Sequence, residues 1–248
     1  MVDSLGSRMK FAVIAPSTNT SVQPEYDDMR PRGVTNHYCR ISIPDTQVSS
    51  DDSFMIMLNN IRAATEDSVD VAQSMSPGCL IMGMSAETFW DGADGADRLH
   101  KRMVERTGGV PVIMGSSAVE AAMRAYGGIR KIGIITPYMP VGDGNVKRYF
   151  EEMGYEVVHI EGLKSPSPMM IAHEPPEKLR DAAIRVSKGV DAVVQCGTNL
   201  AFAKVAAMAE FWMDMPVIAI NTATYWHALR TMGIPDKIDG FGRLLLEH

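Results

Sequence analysis

Gly78-Cys79-Leu80-Ile81-Met82-Gly83-Met84-Ser85 and Val190-Asp191-Ala192-Val193-Val194-Gln195-Cys196-Gly197-Thr198 are one phrase written twice, with Cys196 standing opposite Gly83. Each is a short apolar run that ends in a turn of small residues. Two more pairs follow the same order along the chain. Lys10-Phe11-Ala12-Val13-Ile14-Ala15-Pro16 resembles Lys131-Ile132-Gly133-Ile134-Ile135-Thr136-Pro137, and Val110-Pro111-Val112-Ile113-Met114-Gly115-Ser116-Ser117-Ala118 resembles Met215-Pro216-Val217-Ile218-Ala219-Ile220-Asn221-Thr222-Ala223. Buried parallel strands resemble one another because all are rich in Val and Ile. Here the turns match as well as the strands do, so the chain reads as two diverged copies of one unit with unequal loops.

Outward from these phrases, β-branched runs alternate with longer amphipathic stretches, the pattern of βα units and a parallel sheet. Strands are expected at 11–15, 37–43, 79–84, 111–114, 131–136, 156–160, 192–196 and 216–220, four in each half. Helices are expected at 52–70, 118–126, 145–153 and 176–188, with Gly154 stopping the third. The expected fold is α/β: two pseudo-symmetric lobes, each a mostly parallel four-stranded sheet flanked by helices, with the active site in the cleft between them. The first lobe is expected to hold residues 1–117 and 216–248, the second 118–215.

The 248 residues, 46% hydrophobic and 22% charged, have the profile of a compact globular chain. A net charge of −6 with no basic stripe argues against nucleic acid or a membrane surface as partner. No apolar run reaches the ~18 residues of a membrane span, and no signal-peptide pattern opens the chain, so a cytoplasmic location is expected. Three scattered cysteines suggest neither a disulfide framework nor a metal cluster, and the six histidines lack ligand spacing. No metal and no cofactor are expected. The expected partner is a small carboxylate substrate, with self-association left open.

In parallel α/β sheets ligands gather at the carboxyl ends of the strands. There the chain places Ser17, Thr18, Asn19 and Thr20, then Met84 and Ser85, Ser116 and Ser117, Tyr138, Gly197 to Asn199, and Asn221 and Thr222. Hydroxyls, amides and backbone N–H groups donate hydrogen bonds without bulk and so suit a small carboxylate. Cys196 ends an apolar strand just before a glycine, where a thiol can face a ligand. It is the candidate catalytic residue. Cys79 and Cys39 read as packing residues.

These features resemble the aspartate/glutamate racemase superfamily, in particular the branch of maleate cis-trans isomerases and arylmalonate decarboxylases. The duplicated halves carry the resemblance, together with Pro16-Ser17-Thr18-Asn19-Thr20, Gly83-Met84-Ser85 and Cys196-Gly197. It implies cofactor-free chemistry at the carbon next to a carboxylate. Racemases and maleate isomerases use one cysteine from each lobe, whereas the decarboxylases keep only the second. By position Cys196 matches the retained cysteine, and the first falls on Gly83. The resemblance therefore implies decarboxylation of a malonate-like acid, with Cys196 delivering a proton to an enediolate held by Ser85, Tyr138 and the backbone near Met84 and Gly197. Met84 stands where a threonine is expected. Ser17, Asn19, Gly83 and Thr198 complete the expected binding set.

The Asn19 motif instead looks like that of the isomerases, and no asparagine matches theirs in Gly162-Leu163-Lys164-Ser165-Pro166-Ser167. An isomerase or racemase of a small diacid or amino acid is the alternative, and a noncatalytic dicarboxylate-binding protein the second. Among weaker signals, Glu87, Asp91, Asp94 and Asp97 read as a solvated loop and helix start. Phe89 and Trp90 are candidate pocket walls, His227 reads as packing, and Gly142-Asp143-Gly144-Asn145 as a turn into a helix.

Overall fold

The computed structural model describes residues 3–248. Its eight strands are β1 (Met9–Pro16), β2 (Val34–Ile41), β3 (Cys79–Met82), β4 (Val112–Ile113), β5 (Lys131–Thr136), β6 (Glu156–Gly162), β7 (Ala192–Gln195) and β8 (Val217–Ala219). They form two sheets of four, ordered β2-β1-β3-β4 and β6-β5-β7-β8. Every pairing is parallel. The register repeats too: Val13 lies between Tyr38 and Ile81, and Ile134 between Ile160 and Val194.

Parallel strands need helical crossovers. These and the flanking helices are α1 (Val22–Asp28), α2 (Asp51–Gln73), α3 (Gly92–Arg106), α4 (Gly115–Tyr126), α5 (Pro140–Glu152), α6 (Pro176–Val186), α7 (Ala203–Met213), α8 (Ile220–Thr231) and α9 (Arg243–Glu247). Residues Phe11 to Ala15 of β1 and all of β3 are completely buried. Each large aliphatic there contributes about 1.5–3 kcal/mol by leaving water, so the central strands are fixed by burial on both faces. The longest helix, α2, starts at a capping box in which Ser50 and Ser53 satisfy each other's backbone N–H. It buries Phe54, Met57, Leu58 and Ile61, and two of these reach the cleft.

Two expectations fail. Residues 216–220 do not return to the first lobe: β8 pairs with β7, Val193 opposite Val217, and closes the second sheet as β4 closes the first. The edge of β7 is the apolar surface that this short strand can complete, and α7 supplies its crossover. The next helix, α8, packs on α1, β3 and β4 of the first lobe and on α4, which also touches β8 and α9. Nor is Gly142 to Asn145 a turn before a helix. It lies inside α5, which begins with Pro140 at a first-turn position where its missing N–H costs nothing. Among the described residues no helix is long and apolar enough to cross a membrane.

Candidate active site

The carboxyl ends of β1, β3, β5 and β7 meet around a cavity of about 50 Å³, several times the roughly 10–15 Å³ that one water requires. Its lining combines polar groups, from Thr18, Asn19, Ser85, Glu87, Tyr138, Thr198 and Asn199, with apolar side chains of Ile43, Met57, Ile61, Met84, Ala86, Pro168 and Ile171.

The polar groups are hydrogen-bonded to one another across the cleft. Ser85 Oγ and the Tyr138 hydroxyl lie 2.6 Å apart, and the Thr198 N–H donates to Ser85 Oγ at 3.1 Å. Asn19 Nδ2 donates to Thr198 Oγ1 at 3.2 Å, and that hydroxyl donates to the Gly83 carbonyl at 3.3 Å. The other end of the Asn19 amide accepts the N–H groups of Ser21 and Val22, both at 3.0 Å, which opens α1 and locks the rotamer. Asn199 adds a second stitch, accepting from the Thr20 N–H at 2.9 Å and donating to the Pro168 carbonyl at 2.8 Å. Among the described residues, no hydrogen bond uses the backbone N–H of Met84, Ser85 or Gly197. These are donors available to an anion.

Cys196 follows β7, and its N–H is tied to the Ile135 carbonyl at 2.8 Å. Its side chain is completely buried behind the cavity wall. Burial pushes the thiol well above its ordinary pKa, and the nearby Asp143 carboxylate adds to the effect. The thiol is therefore neutral at physiological pH. Burial likewise raises the Tyr138 hydroxyl, which keeps it a donor. Asp143 is itself raised to about 6 by burial, against the bond it accepts from Thr136 Oγ1. That same Thr136 oxygen accepts the Tyr138 N–H at 3.0 Å.

Of the residues expected in the site, Asn19, Met84, Ser85, Tyr138, Gly197 and Thr198 line one cavity. Ser17, Gly83 and the Cys196 side chain do not. Ser17 instead exchanges hydrogen bonds with the backbone of Ile43, both at 3.1 Å, and so holds an apolar wall residue. Gly83 is not an empty place: a Cβ there would lie 3.0 Å from the Ile14 carbonyl oxygen, 3.1 Å from Val22 Cγ1 and 3.2 Å from Val13 Cγ1. Phe89 is in the core against Tyr149 and Phe150, and Trp90 stacks with Phe54 outside the cavity. Ser116, Ser117, Thr222 and His227 also lie off its wall. Asn221 stands behind it, donating to the Thr198 carbonyl at 2.8 Å and to the Glu25 carboxylate at 2.6 Å.

Other contributions were not expected. Glu87, read as solvated, lines the cavity and pairs with Arg62 at 2.8 Å. Burial raises its pKa despite that pair. Met57 and Ile61 come from α2, and Pro168 and Ile171 from the segment after β6. Among the described residues no group of three or more His, Cys, Asp or Glu side chains is arranged to hold a metal ion.

The family profile described as arylmalonate decarboxylase matches residues 13–245. Maleate isomerase of Pseudomonas putida is 26% identical over 95% of this chain and 96% of its own. Among solved structures, Nocardia farcinica maleate cis-trans isomerase, in a cysteine-to-serine mutant with a covalently bound succinylcysteine intermediate, superposes with a TM-score of 0.86 at 22% identity, covering 97% of this chain and 99% of that one. Arylmalonate decarboxylase superposes with a TM-score of 0.74 at 19% identity, covering 95% and 98%.

Proposed function

Because the profile match spans most of the chain, the protein belongs to the arylmalonate decarboxylase family, and on that premise we propose that it is a cofactor-independent enzyme acting at the carbon next to a carboxylate of a small dicarboxylic acid. One observation carries this reading: a small cavity lined by both hydrogen-bond donors and apolar side chains, with a single neutral thiol buried next to it. Hydroxyls and amides that bond to one another across the cleft are the groups a carboxylate would take over. The unused N–H groups of Met84, Ser85 and Gly197 would hold the negative charge that builds up as the carboxylate becomes an enediolate.

Two reactions pass through that intermediate. Isomerisation of a maleate-type diacid has the stronger support from relatives, since maleate isomerase is similar in sequence and gives the higher of the two TM-scores. Asn19 on the cavity wall agrees with it. Without a thiol at Gly83, Cys196 would have to work with a nonthiol partner. Decarboxylation of a malonate-like acid is the second reading, favoured by Gly83 and by a thiol held neutral. In that reaction the bond to one carboxylate breaks against the apolar side chains of the lining and CO2 leaves. The electron pair stays as the enediolate, the Cys196 proton moves to carbon, and solvent reprotonates the thiolate.

Incubation in D2O with malonates, maleate, related unsaturated diacids and acidic amino acids, followed by NMR, tests both. Geometric or stereochemical interconversion with both carboxylates intact supports the isomerase. Loss of CO2 with one deuterium at the α-carbon supports the decarboxylase. Binding of diacids with no turnover of any compound in the panel overturns the enzymatic reading.

A further inference from the structure

One residue borders two spaces. Glu87, on the single 3-10 turn Ala86–Phe89 that packs on α2, α3, α4 and α5, lines the cavity and also an open outer groove of about 480 Å³, which it shares with Arg62, Trp90, Arg98 and Arg102. Of the residues around the cavity only Glu87 and Tyr138 have ionisable side chains, and Tyr138 stays a hydroxyl. Glu87 therefore supplies the one carboxyl group of the lining. Its side chain is 10% exposed, and Oε2 accepts from Arg62 Nε at 2.8 Å. That guanidinium lies over the Trp90 ring, 5.5 Å from its centre, which holds the pair in place. Among the described residues nothing donates to Oε1. An arginine partner lowers a carboxyl's pKa, yet burial outweighs it here, so Glu87 is a stronger base than a surface carboxylate in the same pair. Glu87 follows Gly83 by four residues in the first lobe, whereas Cys196 follows β7 in the second. The lobe without a thiol thus brings a carboxyl to the same cavity.

We propose that Glu87 is the nonthiol partner of Cys196, the first-lobe acid–base residue of an enzyme that inverts the α-carbon of a small saturated diacid. The assignment rests on the reading that the cleft stabilises an enediolate, and it narrows the substrate. Loss of CO2 needs a proton donor and no base, and a maleate-type alkene has no proton on a tetrahedral α-carbon. A base in the lining therefore points to a substrate with such a proton. The Glu87 carboxylate, oriented by Arg62, takes the α-proton as the C–H bond breaks, and the electron pair moves into the enediolate held by the N–H groups of Met84, Ser85 and Gly197. The Cys196 S–H then protonates the carbon from the opposite face and is left as a thiolate. Water in the outer groove takes the proton from Glu87, and the thiolate regains one from solvent, so both groups return to their starting states. The second, open side of Glu87 matters for that step. A base lining only the closed cavity would have no direct contact with the water that resets it.

Hydrogen exchange at the α-carbon tests this. The full chain is incubated in D2O with each enantiomer of aspartate, malate and methylsuccinate, with loss of the α-proton signal followed by NMR and inversion by chiral chromatography. Wild type is expected to exchange and invert at least one of them. Glu87→Gln keeps the shape and still accepts from Arg62 but cannot take a proton, and it should slow exchange by about 100-fold or more. Glu87→Asp should restore part of the rate. Arg62→Gln breaks the same ion pair but keeps the carboxyl, and it should lose far less than Glu87→Gln. Circular dichroism of each variant checks folding. Exchange as fast in folded Glu87→Gln as in wild type overturns the proposal, and so do equal losses in Glu87→Gln and Arg62→Gln, which would make the pair structural. A wild type that exchanges none of these diacids overturns it too, and turnover of maleate or a malonate by the same protein would show that the enzymatic reading stands without it.

Discussion

Gly83 and Cys196 hold equivalent places in the two sheets, and their surroundings differ as much as they do. Around Gly83 the space for a side chain is taken by the Ile14 carbonyl and by Val22 and Val13. Around Cys196 the crowding falls one residue later. There a Cβ on Gly197 would lie 2.5 Å from Pro137 Cδ, and the backbone takes a φ of 149° that favours glycine. The first lobe has closed over its position, while the second has kept room for a thiol by using glycine next to it. The asymmetry thus belongs to the packing of each turn and not to one substitution.

The sharpest way to break this comparison is Cys196→Ala. Removing the only thiol of the site should cut turnover by about 10²–10⁴-fold with the melting temperature close to wild type. Retained turnover in a folded variant would remove the thiol from the chemistry. Tyr138→Phe should cost about 10²-fold in kcat, because the cleft loses one donor and Ser85 Oγ loses its 2.6 Å partner. A change confined to KM would restrict Tyr138 to binding.

Gly83→Cys should destabilise the fold by about 1–3 kcal/mol in urea unfolding, and Val22→Ala in the same chain should return part of that. Undiminished stability would mean that the first lobe does have room. The last test concerns pH. Burial lifts the Glu25 carboxylate to about 7, opposed by its bonds from Asn221 and the Ala203 N–H at the start of α7. A raised folded-state pKa stabilises below the unfolded value of about 4.3 and is lost as pH rises through 7. Glu25→Gln should therefore flatten the decline in stability between about pH 4.5 and 7; an unaltered slope would assign the decline to another group, such as Asp143.

How much of this was legible in the sequence follows from which contacts are local. The central strands β1, β3, β5 and β7 showed because burial on both faces favours apolar runs, and the half-buried β2 and β6 followed from their place in the repeat. The sheet that β8 joins differs from the expected first lobe, although the repeat of Met215 to Ala223 with the phrase around β4 already pointed to an equivalent edge position. Helix α3 was only half seen, since Gly92, Asp94, Gly95 and Asp97 are poor helix formers, and α7 and α8 lack the polar face that marks a surface helix. Asn19, Ser85, Tyr138 and Thr198 were readable as polar residues at strand ends. The crowding at Gly83, the turn of Glu87 inward and the arrival of Pro168 and Ile171 were not, because each depends on atoms distant in sequence.

The burial of Cys196 also bears on how the protein ages. Oxidants attack thiolates that they can reach, and this sulfur is both sealed from solvent and held protonated. At rest it is shielded from peroxide, whereas Cys39 on β2 is only partly buried, although burial raises that thiol too. Any opening of the hydrogen-bonded cleft wide enough to bring substrate to the thiol also brings oxidant to it. The rate at which peroxide inactivates the protein therefore counts those openings, and a diacid that holds the cleft closed should lengthen its working life.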